Sequence, residues 1–335
     1  MPVLHAESLI DERVQAIRAM HREAGIDRAE LDVSGGIDSA VMCGLLCRAL
    51  GPTAVVFVYS GIHSSDQSRR QAQLVTEAFG ARLTAVDVTE EYTRMAEKIR
   101  QAMIESGHDA RAMAELRAGT PAVDGSFRSC LRAPIGRYAN RLFGGGIRHG
   151  TGNECEDRFV RFYQKGGDGE VDSNPIAMLS KGEVYQLARA LHVPREIIDC
   201  EPTHDLHRGQ ETSHDEVELE RWTGVPWTYS RIDAATGLYR RVGTIERMSR
   251  LIDRVLAEAA GGGALPDDGR FWGDPSLHAV ARGMLDGAGL TPAHLVSAIR
   301  LEAQTRHKMN PNCPTLGDRW SLVRAGILSN ELEEG

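Results

Sequence analysis

The sequence predicts an α/β fold in which a doubly wound parallel sheet is flanked by helices, with extra helices towards the C-terminus. Short apolar segments alternate with segments of helical periodicity in the first half of the chain, the pattern of strand–helix–strand units. The run from Ala54 to Tyr59 is apolar throughout, as expected of a parallel strand covered on both faces. A glycine-paired turn joins the first strand to the next helix, so ligands are expected at the carboxyl ends of the strands.

Spacing and turn residues predict the individual elements. Apolar residues at helical spacing predict helices over Leu9–Ala24, Ser39–Leu50, Ser65–Phe79, Glu90–Asp124 and Arg128–Leu142. Short apolar runs predict strands over Leu31–Val33, Ala54–Tyr59, Arg82–Val88 and Ile147–Thr151. Ser180 and Glu183 form a capping-box pattern, which predicts a helix start. Two or three further helices are expected between Thr244 and Thr305.

The composition limits the classes of function. The 335 residues suffice for one large domain with an appendage or for two modest domains. A net charge of −8 provides no general basic surface, which argues against nucleic acid or an anionic membrane as partners. No apolar stretch approaches about 20 residues. The N-terminus lacks the apolar core of a signal peptide, so a cytoplasmic location is expected.

The most informative segment is Ser34-Gly35-Gly36-Ile37-Asp38-Ser39, between the first strand and its helix. A strand, a glycine turn and a helix N-terminus form an anion cradle, because backbone N–H groups point outward and the helix dipole adds positive potential. Gly35 and Gly36 allow close approach and positive φ, and the serines add hydroxyl donors. Asp38 is placed to hold a divalent cation. The segment is not a Walker loop, which ends in Gly-Lys-Ser/Thr, but it predicts a ligand rich in phosphate.

Further candidate residues follow the fourth strand and precede the later helix. Thr151 offers a hydroxyl, and Glu156 offers a carboxylate that can join Asp38 on one Mg²⁺. Taken alone, this stretch would also suit a capped helix start with solvated acids. Lys165 and Lys181 could neutralise phosphates, Lys181 from a helix N-terminus, although a lone lysine is usually only solvated.

Together these motifs resemble the ammonia-dependent NAD synthetases of the N-type ATP pyrophosphatase, or PP-loop, superfamily. SGGIDS matches the SGGxDS loop of that superfamily, and the later motifs of the family occur here in the same order. They correspond to Gly150–Glu156, Phe162–Lys181, Pro202–Leu206 with Asp215-Glu216, and His307-Lys308. The resemblance implies an adenine nucleotide alpha hydrolase-like fold. We expect a synthetase-like domain at 1–235 and a helical extension at 236–335 that packs back on the site through His307-Lys308.

The resemblance also implies a reaction, the ATP-dependent amidation of nicotinic acid adenine dinucleotide to NAD. This reaction passes through an acyl-adenylate and releases pyrophosphate and AMP. The resemblance further implies Mg²⁺, ammonia rather than glutamine as the nitrogen source, and a homodimer. It assigns catalysis to Asp38 and Lys181; ATP binding to Ser34, Gly35, Gly36, Asp38, Ser39, Thr151, Lys181 and Thr203; substrate binding to Arg132, Lys165, Asp168, Asp172, His307 and Lys308; and metal binding to Asp38 and Glu156.

Departures from the family pattern keep alternatives open. Ser126 and Cys130 replace a polar amide and a basic side chain, so a PP-loop paralogue that amidates a different carboxylate is one alternative. Glu154 is a rival metal ligand to Glu156. A tRNA-modifying PP-loop enzyme is disfavoured because the net charge is acidic and the six cysteines include no C-x-x-C pair. A module that binds nucleotide without catalysis is disfavoured by the presence of both carboxylates and both lysines.

Overall fold

A four-stranded parallel sheet forms the centre of the computed structural model, which describes residues 5–120, 122–200, 215–261, 268–309 and 317–330. Its strands are β1 Ala29–Asp32, β2 Val55–Gly61, β3 Leu83–Asp87 and β4 Ile147–His149. Leu31 of β1 lies opposite Phe57 of β2 and His149 of β4. A separate antiparallel hairpin consists of β5 Arg231–Ile232 and β6 Tyr239–Arg241.

The strand order β3-β2-β1-β4 places a topological switch point beside β1. From β1 the chain continues to β2 and β3 on one side and later adds β4 on the other. In an open parallel sheet, this reversal leaves a crevice at the carboxyl ends of the two flanking strands. Those ends carry Ser34 to Ser39 after β1 and Gly150-Thr151 after β4. The fold therefore brings two of the predicted motifs to one edge of the sheet.

Helices cover the sheet and continue beyond it in the described residues. They are α1 Ala6–Ala24, α2 Ile37–Leu50, α3 Asp66–Ala78, α4 Thr89–Glu105, α5 Ala110–Gly119, α6 Ala122–Leu142, α7 Glu154–Asp157, α8 Lys181–Ala190, α9 Arg195–Ile198, α10 Asp215–Thr223, α11 Thr244–Ala259, α12 Asp268–Gly273, α13 Pro275–Met284, α14 Pro292–Thr305 and α15 Arg319–Arg324. Helices α1, α2 and α8 contact one another, whereas α6 contacts β1 and β2. Over the described ranges, we find no helix that combines the length and the apolar character needed to cross a bilayer.

The alternation of side chains along β1 determines what covers each face of the sheet. Leu31 is buried in a hydrophobic core shared with α1, α2 and α8. Glu30 and Asp32 lie on the opposite face, because successive side chains of a strand alternate, and Arg148 of β4 pairs with both carboxylates. Helix α6 passes over this ion cluster at Gly136, where a Cβ would overlap the guanidinium of Arg148 and the carboxylate of Glu30. The absence of a side chain at Gly136 therefore allows α6 to approach the sheet.

A second hydrophobic cluster joins the later helices to the elements around the site. Residues of α11, α13 and α14, such as Ile252 and Leu295, share this cluster with Phe159 and Trp227. The expected domain boundary between residues 235 and 236 falls inside the sequence span of this shared core. The division of the chain at that point stays a prediction.

Several elements begin or end at other residues than those predicted. Helix α2 begins at Ile37, two residues before the predicted start, because Gly36 in an extended conformation is its N-cap. The single helix predicted over 90–124 is interrupted after α4, where Gly107 has a φ of +91°. Asp109 then caps α5 by accepting hydrogen bonds from two backbone N–H groups. The helix predicted from Arg128 already begins at residue 122 as α6.

Candidate active site

A cavity of about 640 Å³ opens beside the switch point. It is lined by Ser34 to Asp38 after β1, by His149 to Thr151 at the end of β4, by Glu156 of α7 and by Lys181 of α8. Trp222 of α10 also lines the cavity. Residues from separate segments therefore meet in one concave site, as is typical of a ligand pocket.

The turn after β1 is tightly constrained. Gly35 has a φ of +89°, and a Cβ there would lie 2.8 Å from the Cβ of Gln71 and from the carbonyl oxygen of Ser68 on α3. Gly36 has an ordinary φ of −77°, and its N–H donates to the Oγ of Ser34 at 3.2 Å. Of the two glycines that could take a positive φ, only Gly35 does so, because Gly36 is the extended N-cap of α2.

The ammonium group of Lys181 joins the two carboxylates that the sequence assigned to Mg²⁺. Its Nζ lies 2.6 Å from Oδ2 of Asp38 and 3.1 Å from Oε1 of Glu156. The other oxygen of Asp38, Oδ1, accepts a hydrogen bond of 3.0 Å from Nδ2 of Asn153. Carboxylates from two distant segments thus converge on one point beside the turn.

Burial and pairing determine the charges at this point. Burial raises the pKa of Glu156 to about 7, and the Lys181 ammonium opposes part of that rise. Burial by itself lowers the pKa of Lys181, but the carboxylates of Asp38 and Glu156 outweigh it and hold that pKa above its usual value. Lys181 is therefore charged at neutral pH. Carboxylate oxygens such as those of Asp38 and Glu156 are hard ligands, which Mg²⁺ binds together with phosphate and water oxygens. The two carboxylates therefore fit a magnesium ion.

Glu154, the rival ligand, is engaged elsewhere. Its carboxylate is buried and pairs with Arg158 at 3.2 Å and with Arg250 of α11. It does not belong to the residues that line the cavity. The geometry therefore favours Glu156 over Glu154 as the partner of Asp38.

The start of α8 positions Lys181. The predicted capping box is confirmed: Ser180 accepts from the N–H of Glu183, and Glu183 Oε2 accepts from the N–H of Ser180 at 2.8 Å. Ser180 Oγ also donates to Oε1 of Glu246 on α11 at 2.8 Å. Because these groups are buried, they fix the backbone at Lys181. Its side chain then reaches the carboxylates with Nζ 5.5 Å from the centre of the Tyr229 ring.

Four of the other predicted residues line the same cavity: Arg132, Thr151, Asp168 and Lys308. Asp168 also shapes the glycine-rich loop, because its Oδ1 accepts a hydrogen bond of 2.7 Å from the Oγ of Ser129. The aspartate therefore has a structural partner in addition to its place at the cavity.

Other predicted residues lie behind or beside the lining. Asp172 accepts a hydrogen bond of 2.8 Å from the N–H of Arg148 and pairs with Arg137 at 3.3 Å. Ser39 is buried, and its hydroxyl donates to the carbonyl oxygen of Gly36 at 2.9 Å, which stabilises the turn. Thr203 lies outside the described residues.

The two residues of the C-terminal pair differ in position: Lys308 lines the cavity, whereas His307 faces solvent. Nζ of Lys308 donates to the carbonyl oxygens of Arg161 at 3.0 Å and Tyr163 at 2.8 Å. The hydroxyl of Tyr163 donates in return to the carbonyl oxygen of Lys308 at 2.9 Å. His307 is exposed, as is Lys165. Lys308 thus attaches the segment after α14 to the loop that precedes Lys165.

Sequence reasoning missed two residues of the site. Asn153 is fully buried, and its side chain caps α7 while it holds Asp38. Its place inside the Gly150–Glu156 motif was the available signal. Arg148 lines the cavity and pairs with Glu30 and Asp32. Glu30 and Asp32, two acidic residues on the same face of a buried strand, were the signal for a buried cation.

A parallel sheet with SGGIDS at its switch point defines an α/β protein of the PP-loop class. The family model described as NAD synthase matches residues 9–248, more than two thirds of the chain. The chain therefore belongs to the NAD synthase family, and the family resemblance of its motifs is confirmed.

Individual relatives agree with this membership. The NH(3)-dependent NAD(+) synthetase of Alkaliphilus oremlandii is 34% identical over 202 residues, which are 60% of this chain and 77% of the relative. The NH(3)-dependent NAD(+) synthetase of Methanococcoides burtonii is 30% identical over 238 residues, 70% of this chain and 78% of the relative.

Solved structures show the same fold at lower sequence identity. NMN synthetase from Francisella tularensis aligns with a TM-score of 0.61 at 18% identity, over 92% of this chain and 99% of that chain. NAD+ synthetase from Burkholderia pseudomallei aligns with a TM-score of 0.54 at 20% identity, over 92% and 91%. The predicted fold class is therefore confirmed.

Proposed function

We propose that this chain amidates nicotinic acid adenine dinucleotide to NAD with ammonia and ATP. Membership of the NAD synthase family and the activities named for its relatives support this reaction. The structural observation that carries the proposal is the meeting of Asp38 and Glu156 at Lys181, beside the turn after β1. Cleavage of ATP between its α- and β-phosphates needs cationic groups at such a point, because negative charge develops on the leaving pyrophosphate.

The reaction has two steps. First, a carboxylate oxygen of the dinucleotide attacks the α-phosphorus of ATP, the bond from that phosphorus to the bridging oxygen breaks, and pyrophosphate leaves. Second, the nitrogen of ammonia attacks the acyl carbon, the bond to AMP breaks, and the nitrogen loses a proton to solvent. Neither step needs a nucleophile from the protein, whose contribution is then positioning and charge neutralisation.

We assign these tasks to particular groups. The first N–H groups of α2 and the hydroxyl of Ser34 donate to phosphate oxygens, and Lys181 neutralises charge on the leaving group. Mg²⁺ held by Asp38 and Glu156 would add charge stabilisation at the same oxygens. Asn153 keeps the Asp38 carboxylate in place through its hydrogen bond.

The two substrates fill the rest of the cavity. We propose that Thr151 contacts ATP and that Arg132, at the cavity wall, contacts the dinucleotide. The positions of Lys308 and Asp168 at the lining support contacts with the dinucleotide as well. The comparisons do not favour a paralogue with another acid substrate or a tRNA-modifying enzyme.

The test is the formation of NAD from nicotinic acid adenine dinucleotide, ATP and ammonium by the purified chain. Asp38→Asn should lower kcat/KM at least about a hundredfold, because the site loses a carboxylate that would hold Mg²⁺ and that pairs with Lys181. Asp66→Asn removes the same charge from the exposed start of α3 and should leave the rate unchanged. Glutamine should not replace ammonium. Turnover with another carboxylic acid, and none with this dinucleotide, would contradict the proposal.

We also propose that the chain forms a homodimer. Helices α4 and α6 contact each other through Tyr92 and Phe127, and both expose large apolar side chains. These side chains are Met95, Ile99 and Met103 on α4 and Tyr138 and Leu142 on α6. Apolar surface on adjacent helices is typical of an interface. Sedimentation should give twice the chain mass, and Ile99→Glu should shift the protein to a monomer; a wild-type monomer with full activity would oppose the proposal.

A further inference from the structure

In the described structure, the ammonium of Lys181 lies where the proposed metal ion would have its protein ligands. Nζ contacts Asp38 at 2.6 Å and Glu156 at 3.1 Å, and the side chain of Lys181 is only 3% exposed. The carboxylates are themselves mostly covered, with exposed fractions of 16% for Asp38 and 22% for Glu156. Two neighbouring carboxylates with so little solvent need a cation between them. In the described structure, that cation is the ammonium group of Lys181.

A divalent ion that entered this site alone would meet a cost. It would take the carboxylate oxygens from Lys181 and leave a buried ammonium group next to a second cation. Breaking a buried ion pair without a replacement partner is strongly unfavourable. The backbone of Lys181 cannot retreat with its side chain, because the capping box of Ser180 and Glu183 holds the start of α8. Only a rotation of the side chain towards another anion removes the conflict.

ATP would supply that anion. The turn from Ser34 to Asp38 lines the same cavity as Lys181, so phosphates bound at the start of α2 would lie within the reach of a lysine side chain. An ammonium group that moves to phosphate oxygens keeps its charge paired and frees Asp38 and Glu156. Nucleotide binding would thus open the carboxylates to the metal ion at the moment when the triphosphate also needs it.

We propose that Lys181 is the resident cation of the metal site and couples the binding of ATP to the binding of Mg²⁺. This inference rests on the proposed function and adds an order of binding, in which the nucleotide binds before the metal ion. Without nucleotide, Lys181 competes with the metal ion for the carboxylates. By thermodynamic linkage, the metal ion and the nucleotide must strengthen each other's binding by the same factor. Lys181 is then a residue that regulates access to the carboxylates as well as one that neutralises phosphate.

The direct test measures the binding of Mn²⁺, as a probe for the metal site, to the nucleotide-free protein by electron paramagnetic resonance at mildly alkaline pH. Lys181→Met should bind Mn²⁺ at least about tenfold more tightly than the wild type, because the ion no longer has to break charge-assisted hydrogen bonds of the lysine. Lys98→Met removes the same charge from the exposed face of α4 and should bind as the wild type does. Equal or weaker binding by a folded Lys181→Met protein would overturn the inference.

A second measurement uses the wild type and does not depend on the folding of a variant. Crystals with Mn²⁺ alone should show no anomalous peak at Asp38, with Lys181 still paired. Crystals with Mn²⁺ and α,β-methylene ATP should show the peak at Asp38 and Glu156 and the Lys181 ammonium on phosphate oxygens. A peak without nucleotide beside an intact Lys181–Asp38 pair, or no peak with nucleotide, refutes the coupling. NAD formation by the wild type is scored separately, so a failed coupling leaves the proposed function standing.

Discussion

His149 forms a buried pair with His21 next to the cavity. Its Nε2 lies 3.0 Å from Nε2 of His21, and its Nδ1 lies 2.7 Å from the Oγ of Ser173. One imidazole must donate and the other accept in this contact, so at least the accepting ring is neutral. Burial, with a smaller contribution from His21, lowers the pKa of His149 to about 3. Burial also lowers the pKa of His21.

This pair predicts loss of stability in mild acid. An unfolded chain binds protons at these histidines once the pH falls below the ordinary pKa of 6.5, whereas the folded chain binds them only at lower pH because both pKa values are lowered. The free energy of unfolding should therefore decrease by up to about 1.4 kcal/mol per pH unit for each histidine as the pH falls. Urea denaturation at a series of pH values would measure this slope. His149→Gln should reduce the slope and exposed His108→Gln should not; equal slopes in both variants would contradict the account.

At the residue scale, sequence motifs predicted which residues belong to the site, but they did not predict which of these residues contact one another. Asp38, Glu156 and Lys181 were all assigned from motifs, and the structure brings them together. The position of the lysine between the carboxylates could not be predicted, because the distance between remote side chains depends on tertiary packing. The same reason explains why the bond from Asn153 to Asp38 was not anticipated.

At the scale of elements, the turn after β1 distinguishes its two glycines. Gly35→Ala should lower the free energy of unfolding by about 2 to 4 kcal/mol, because alanine is strained at positive φ and its Cβ would press against α3. Gly36→Ala should cost within about 1 kcal/mol, because Gly36 has an ordinary φ as an N-cap. Urea denaturation of the two variants measures the difference. Equal losses in the two variants would contradict a steric constraint that is specific to Gly35.

Element types were predictable where periodicity was strong, and the ends were less so. The strands β1 to β4 were all predicted, because short apolar runs between turn residues mark buried strands. Their order was not, since apolar periodicity carries no information about neighbours. The break between α4 and α5 was missed because helical spacing continues on both sides of Gly107.

At the scale of the whole molecule, buried ion pairs connect the site to the later helices. Glu154 of α7 pairs with Arg250 of α11, and Arg250 also pairs with Asp253 at 2.5 Å. Arg319 of α15 pairs with Glu183 of α8 at 2.6 Å. These contacts join segments before and after the expected boundary at 235. They explain how helices outside the sheet hold the start of α7 and α8, where the site residues lie.

The neighbouring glutamates should therefore respond differently to the loss of charge. Glu154→Gln should lower the free energy of unfolding by about 3 kcal/mol, because it breaks a buried ion pair with Arg250. Glu156→Gln should change stability by less than about 1 kcal/mol, since Lys181 keeps its closer ion pair with Asp38. The substitution should, however, raise the Mg²⁺ concentration needed for half-maximal activity. Denaturation curves and metal titrations would measure both. The reverse pattern would make Glu154 the metal ligand.

Helix α6 also limits how the chain could be recombined with its relatives. It crosses the sheet at Gly136 directly above the ion cluster of Glu30, Asp32 and Arg148. A chimera with a larger residue at position 136 of α6 would push the helix away from the ion cluster. A chimera whose β1 lacks Glu30 and Asp32 would leave Arg148 without its carboxylate partners. Grafting in this protein therefore has to transfer the helix and both strands as one block.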